Sequence, residues 1–176
     1  METKVFFIGF MGTGKSTIGK LVADKLNLDF VDTDCLIEDE LNMSISNIFK
    51  RYGEDCFREL EHEIICNLIG DKAGKVIATG GGTPLYHGNM ELMKGEGLVI
   101  GLDASPYELW LRLRECQDRP LLKKYNTYNE FHRLYKYRDK TYRQAHITIK
   151  TGGKSIEEIM LEAIFPIHDF FRSEEK

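Results

Sequence analysis

The sequence contains no apolar run approaching the roughly 20 residues that a bilayer-spanning helix needs, so a membrane protein is not expected. It also lacks any C-x-x-C pair, and none of Cys35, Cys56, Cys66 and Cys116 is spaced from a histidine as zinc ligands are. Free thiols in a reducing compartment are the expectation. Positive charge is not in excess: the net charge is −4, which argues against general nucleic-acid binding. Repeats, low-complexity tracts and linkers are absent, so residues 1–176 are expected to form a single domain. Residues 1–4 lead straight into Val5-Phe6-Phe7-Ile8, too short for a signal-peptide core and followed by glycines instead of a cleavage site. A cytoplasmic location is therefore expected. No long apolar edge or heptad pattern is left over, which points to a monomer.

The charge is unevenly spread. Between Arg112 and Arg143 ten Lys or Arg stand against four Asp or Glu, a local +6 that leaves −10 for the rest. A basic segment on an acidic chain suits a small polyanion, although a solvated helix face would look the same.

Short apolar runs alternate with amphipathic stretches. Strands are expected at 5–9, 30–32, 76–79, 98–103 and 147–150. Helices are expected at 15–26, 45–52, 54–69, from 106 to about 115, at 129–145 and at 155–165, with Ser105-Pro106 as cap and first turn of the fourth. A polar loop covers 116–129. This alternation implies an α/β fold with a mostly parallel sheet covered on both faces. Ligands of such sheets lie at the carboxyl ends of the strands, where the glycine-rich segments fall.

Gly9-Phe10-Met11-Gly12-Thr13-Gly14-Lys15-Ser16 matches G-x-x-x-x-G-K-[ST] between an apolar strand and an amphipathic helix. Glycines let successive N–H groups turn toward phosphate oxygens, and the helix N-terminus adds its positive end. The expected nucleotide-side residues are Gly12, Thr13, Gly14, Lys15, Ser16 and Thr17. Lys15 would bridge the β- and γ-phosphates of ATP, and the Ser16 hydroxyl would ligate Mg²⁺; Thr17 serves more to support the helix start.

Asp32-Thr33-Asp34 closes the second strand. On an extended chain the two acids point the same way, so Asp32 could hold the metal through water while Asp34 orients an acceptor hydroxyl and takes its proton. Helix capping by Asp34 ahead of 35–40 is the competing reading. Further on, Arg58 and Glu61 sit three apart on one helix face and can pair. A pre-oriented guanidinium beside aromatic rings suits a carboxylate guest, while a plain surface ion pair is the alternative.

Together these features resemble the shikimate kinase family over nearly the whole chain. The resemblance rests on G-F-M-G-T-G-K-S-T, Asp32-Thr33-Asp34, I-x-x-I-F followed by G-E-x-x-F-R-x-x-E, Gly80-Gly81-Gly82, Arg119-Pro120-Leu121-Leu122, and Arg138 with Tyr142. It implies a P-loop NTPase three-layer sandwich of the nucleoside-monophosphate-kinase type, with a five-stranded parallel sheet. It further implies transfer of the γ-phosphoryl of ATP to the 3-hydroxyl of shikimate, on the route to chorismate and the aromatic amino acids. Acceptor-binding helices would span about 33–62 and a lid about 113–128. By the same resemblance Asp34 contacts the acceptor hydroxyls, Arg58 and Arg138 grip its carboxylate, and Gly80, Gly81 and Gly82 lie alongside. Phe49 and Phe57 line the ring pocket and Glu61 fixes Arg58. Ser16 and Asp32 serve Mg²⁺, Lys15 and Arg119 neutralise phosphate charge, and Arg112 packs against adenine. The chain departs from the family pattern where Asp139-Lys140-Thr141 replaces a stretch that often holds proline, and where Ala145-His146 stands in place of Ala-Asp. Rival readings are another small-metabolite kinase of similar fold, such as a gluconate kinase, and a non-catalytic ligand-sensing module.

Overall fold

The computed structural model describes residues 4–114 and 127–174. Most of the expected lid, with Cys116 and Arg119, lies outside the described residues.

Five strands form one parallel sheet: β1 (Lys4–Gly9), β2 (Asp29–Asp32), β3 (Lys75–Ala78), β4 (Leu98–Asp103) and β5 (Ile147–Lys150), in the order β2-β3-β1-β4-β5. The central strand β1 is buried at every position, as its unbroken apolar run requires of a strand covered on both sides. Its residues divide strictly by parity. Phe6 and Ile8 enter one core with Ile37, Ile48, Ile65, Met90 and Phe131; Val5 and Phe7 enter the other with Ile18, Val22, Ile159 and Ile167. Helices α1 (Lys15–Leu26) and α7 (Ile156–Glu174) cover the second face. Helices α2 (Thr33–Leu41), α3 (Ile45–Gly70), α4 (Asn89–Glu96), α5 (Pro106–Arg114) and α6 (Tyr128–Tyr142) cover the first. The result is the three-layer α/β sandwich expected from the alternation of elements.

Local chemistry explains where the helices stop and start. Asn27 and Asn42 end α1 and α2 in the left-handed conformation that asparagine tolerates. Glu38 Oε1 accepts the Ile45 N–H at 2.8 Å and so caps α3 from the preceding helix. The α5 start is closed by reciprocal Ser105–Glu108 hydrogen bonds, and α6 opens on a Thr127–Glu130 capping box. Gly53, at φ 85°, breaks α3 into the two pieces expected from the sequence.

Some expectations need correction. A 3-10 turn at Thr83–Leu85 and the helix α4 were not foreseen. Helix α6 begins at Tyr128 and stops at Tyr142, short of 145. Helix α7 runs through Pro166 instead of ending at 165, because Ile167 beyond the proline is buried and Phe170 and Phe171 pack against the same core. No helix among the described residues is long and apolar enough to cross a membrane.

Because every strand is parallel, one edge of the sheet collects the segment after β1 (the phosphate-loop motif), the Asp32–Asp34 segment after β2 and the triple glycine after β3.

Candidate active site

The loop from Gly9 to Ser16 curls between β1 and α1. At Gly9 a Cβ would lie 2.4 Å from the Leu102 carbonyl oxygen, and Gly12 and Gly14 sit at φ 82° and 92°, so the loop's path requires glycine at these places. Thr13 is buried, and its hydroxyl donates to the Phe10 carbonyl at 2.8 Å. The first turn of α1 carries no side-chain cap, an arrangement that suits an anion at the helix N-terminus. The Lys15 ammonium folds back to donate to the Gly9 and Phe10 carbonyls at 3.0 and 3.1 Å. Thr17 is exposed in the first turn of α1. Arg112, on α5, donates to the Gly12 carbonyl at 3.4 Å, so α5 borders the loop.

The two aspartates do not point the same way. Asp32 ends β2 in extended conformation, whereas Asp34 already lies in the first turn of α2; the segment straddles a strand–helix junction. Asp32, and not Asp34, caps the helix: its Oδ1 accepts from the Asp34 N–H at 3.0 Å, while its Oδ2 accepts from the Ser16 hydroxyl at 2.5 Å. Ser16 and Asp32 thus set two oxygens side by side at the foot of the phosphate loop. That pair fits Mg²⁺, which takes few ligands from protein and the rest from phosphate and water. Among the described residues no group of three or more His, Cys, Asp or Glu could hold a metal by itself. Cys35, next to these acids, has its thiol pushed up by burial and then by the surrounding carboxylates, so it stays protonated.

Asp34 faces the glycine loop instead. A Cβ at Gly80 would lie 2.5 Å from both Asp34 Oδ1 and Glu61 Oε1; one at Gly81 would be 3.5 Å from Arg138 Nη1; one at Gly82 would be 2.2 Å from Arg58 Nη1. Each of the three glycines is therefore approached by predicted acceptor-side residues, and a side chain at Gly80 or Gly82 would displace them, whereas one at Gly81 would meet Arg138 in ordinary contact. The loop is itself tied down. Gly80 N–H donates to the Thr33 hydroxyl at 2.9 Å, and the Tyr142 hydroxyl donates to the Gly81 carbonyl at 2.5 Å. Burial, more than any charge, pushes the Tyr142 phenol up to about 12, so it remains a donor through the neutral range.

Arg58 is only 4% exposed. It pairs with Glu61 at 2.6 Å and Glu54 at 2.8 Å, and its guanidinium lies 4.6 Å from the Tyr86 ring centroid and 5.4 and 5.9 Å from those of Phe57 and Phe49. The Phe49 and Phe57 rings pack at 4.6 Å. Burial alone would lower the guanidinium's proton affinity, but the Glu61 and Glu54 carboxylates more than offset it. Its Nε has no hydrogen-bond partner although it is buried, and among the described residues it is the only such side-chain atom. Arg138, also buried, lies over Phe10 at 5.7 Å. Arg119 lies outside the described residues.

Sequence spacing pointed to the Arg58–Glu61 pair but not to Tyr86 or Thr83. Both follow the glycine loop in a segment without helical or alternating periodicity. Glu54, four residues before Arg58, carried a usable signal in its i,i+4 spacing.

The shikimate kinase family matches residues 11–167. A shikimate kinase of Geobacter sulfurreducens is 46% identical over 158 residues, spanning 90% of this chain and 87% of that protein. A solved structure of a shikimate kinase from Acinetobacter baumannii, in complex with shikimate, superposes with a TM-score of 0.88 at 32% identity, covering 95% of this chain and 93% of the other. A gluconokinase from Sinorhizobium meliloti reaches a TM-score of 0.60 at 13% identity over 99% and 96% of the two chains, a likeness of fold alone.

Proposed function

Because this chain belongs to the shikimate kinase family, we propose that it transfers the γ-phosphoryl group of ATP to the 3-hydroxyl of shikimate. The observation that carries this reading is the triple-glycine loop, against which Asp34, Arg138 and Arg58 are packed one to each glycine.

Phosphoryl transfer demands positioning and charge stabilisation more than covalent chemistry from the protein. The loop of Gly12 to Thr17 wraps the phosphates, with the α1 N-terminus behind it. Lys15 exchanges its two backbone carbonyl partners for phosphate oxygens when ATP binds. Ser16 and Asp32 would hold Mg²⁺, which would supply neutralisation of phosphate charge. On the acceptor side Arg58 and Arg138 grip the carboxylate. Phe49 and Phe57 cover the ring. Asp34 orients the attacking hydroxyl and accepts its proton as the oxygen becomes nucleophilic. Arg112 packs against adenine, and Arg119 arrives with a lid over about 113–128 to neutralise transferring charge and exclude water. The 1–176 chain acts as one domain, a cytoplasmic monomer that engages neither nucleic acid nor membrane.

A coupled assay of ADP release with shikimate and with gluconate tests the reading. Turnover is expected with shikimate only, and Lys15→Ala and Asp34→Asn should each abolish it. Strong gluconate turnover without shikimate turnover would replace this reading by a sugar-acid kinase. Binding of both ligands without ADP release would favour a sensing module.

A further inference from the structure

Glu61 is 1% exposed and has both carboxylate oxygens committed. Oε2 accepts from Arg58 at 2.6 Å, and Oε1 accepts from the Thr83 hydroxyl at 2.5 Å. Thr83 opens the 3-10 turn beyond the glycine loop, and its carbonyl accepts from Asn89 Nδ2 at 2.9 Å. Thr83 and Asn89 are both fully buried. Since the Asn89 amide nitrogen is spent on that carbonyl, its Oδ1 faces His62 Nδ1 at 2.7 Å, and His62 must carry its hydrogen on Nδ1. His62 follows Glu61 on α3. Two adjacent α3 residues are therefore each fastened to one short segment, Glu61 through the Thr83 hydroxyl and His62 through the Asn89 amide.

We propose that Thr83 and Asn89 are positioning residues for acceptor binding, holding Glu61 and hence the plane of the Arg58 guanidinium. This rests on the reading of Arg58 as the clamp for the acceptor's carboxylate. The physical need is plain. A carboxylate with one anchored oxygen can swing about its χ angles, and Asp34 stands at the same distance as Glu61 from the Gly80 Cβ position. The Thr83 hydroxyl, 2.9 Å from that position, places a donor on Glu61 and keeps the two like charges from rearranging. An unconstrained Glu61 would let Arg58 turn away from its guest without leaving the pocket.

Steady-state kinetics on Thr83→Val, Thr83→Ser and Asn89→Ala test this. Valine keeps the shape of threonine and removes the hydroxyl. Thr83→Val and Asn89→Ala should each raise the KM for shikimate about five- to tenfold, the scale of one lost buried hydrogen bond. The KM for ATP should stay at its wild-type value, and Thr83→Ser should restore shikimate binding. The double variant should lose less than the product of the single losses, since both residues act on Glu61. An unchanged shikimate KM in Thr83→Val, a Thr83→Ser variant as impaired as the valine, or an ATP KM rising in step would overturn the proposal. The Val/Ser pair decides the matter even where Asn89→Ala does not fold. Wild-type enzyme that fails to phosphorylate shikimate would remove the functional reading and this proposal together; active wild type with unaltered variants would remove the proposal alone.

Discussion

Arg58 shows how much of the proposed acceptor site depends on the shape of one cation. Its guanidinium meets two carboxylates and three aromatic rings at once, a set of contacts that a planar fork with five donors can make and an ammonium cannot. Arg58→Lys is therefore expected to raise the shikimate KM tenfold or more, nearly as far as Arg58→Ala, with the ATP KM unchanged; on this scale charge alone rescues little. Arg58→Ala also strands the buried Glu61. Breaking a buried pair by removing one partner costs about 3–5 kcal/mol, which denaturant unfolding would register as a lower midpoint at constant slope. An alanine variant as stable as wild type would mean that Glu61 finds water. The residues around Arg58 were unequally readable. Glu61 and Glu54 announce themselves by helical spacing, and Phe57 by adjacency. Tyr86 lies 28 positions away in a stretch without periodicity, and only the fold brings it over the guanidinium. The aspartates mislead in the opposite way: the alternation rule for extended chain does not hold across a junction where the chain turns helical at Thr33.

At the scale of elements, the strands and most helices were readable because buried parallel strands are short apolar runs and covering helices are amphipathic. The order of the strands was not, since β1 pairs with β3 and β4 and no local signal states a partner. Helix α4 escaped because its eight residues hold only Met90 and Met93 as buried apolar positions. The junction of β4 and β5 carries a prediction. Just before β5, His146 donates its backbone N–H to the Val99 carbonyl and accepts the Val99 N–H on Nδ1 at 3.1 Å. Its imidazole is held below its ordinary value, by burial first and by Lys94 second. The folded state therefore prefers the neutral ring, and the unfolded chain binds the extra proton. Stability from this group is fully present above about pH 6.5, the free imidazole value, and drains away as pH falls toward the lower folded value. Thermal melts between pH 7 and 5 should show that decline. The variant His146→Asp, which restores the carboxylate usual in the family and stays ionised over this range, should flatten it. Parallel melting profiles for the two proteins would remove the assignment.

For the whole molecule, the predicted metal is a partner of the reaction and not of the fold. Ser16 and Asp32 already satisfy one another through their hydrogen bond, and two well-filled cores lie on either side of the sheet. EDTA is expected to abolish turnover, with excess Mg²⁺ restoring it, and to leave the melting temperature of the ligand-free protein where it was. ADP with Mg²⁺ at about 100 times its Kd should add about 2.7 kcal/mol, which for a domain of this size shifts the melting temperature by about 5–10 °C. Asp32→Asn should lose the part of that shift that depends on Mg²⁺. A drop in melting temperature on chelation alone would show a structural ion.

The central place of β1 also bears on the order in which the chain matures on the ribosome. Its first strand is synthesised before either neighbour exists, and the two flanking positions are filled by β3 and β4, which emerge far later. Gly9 seats against the carbonyl of Leu102, so the support behind the phosphate-loop motif is missing until β4 has left the exit tunnel. Such distant pairings close slowly. A nascent chain ending before β4 would carry the entire phosphate-loop motif and still be unable to retain ATP.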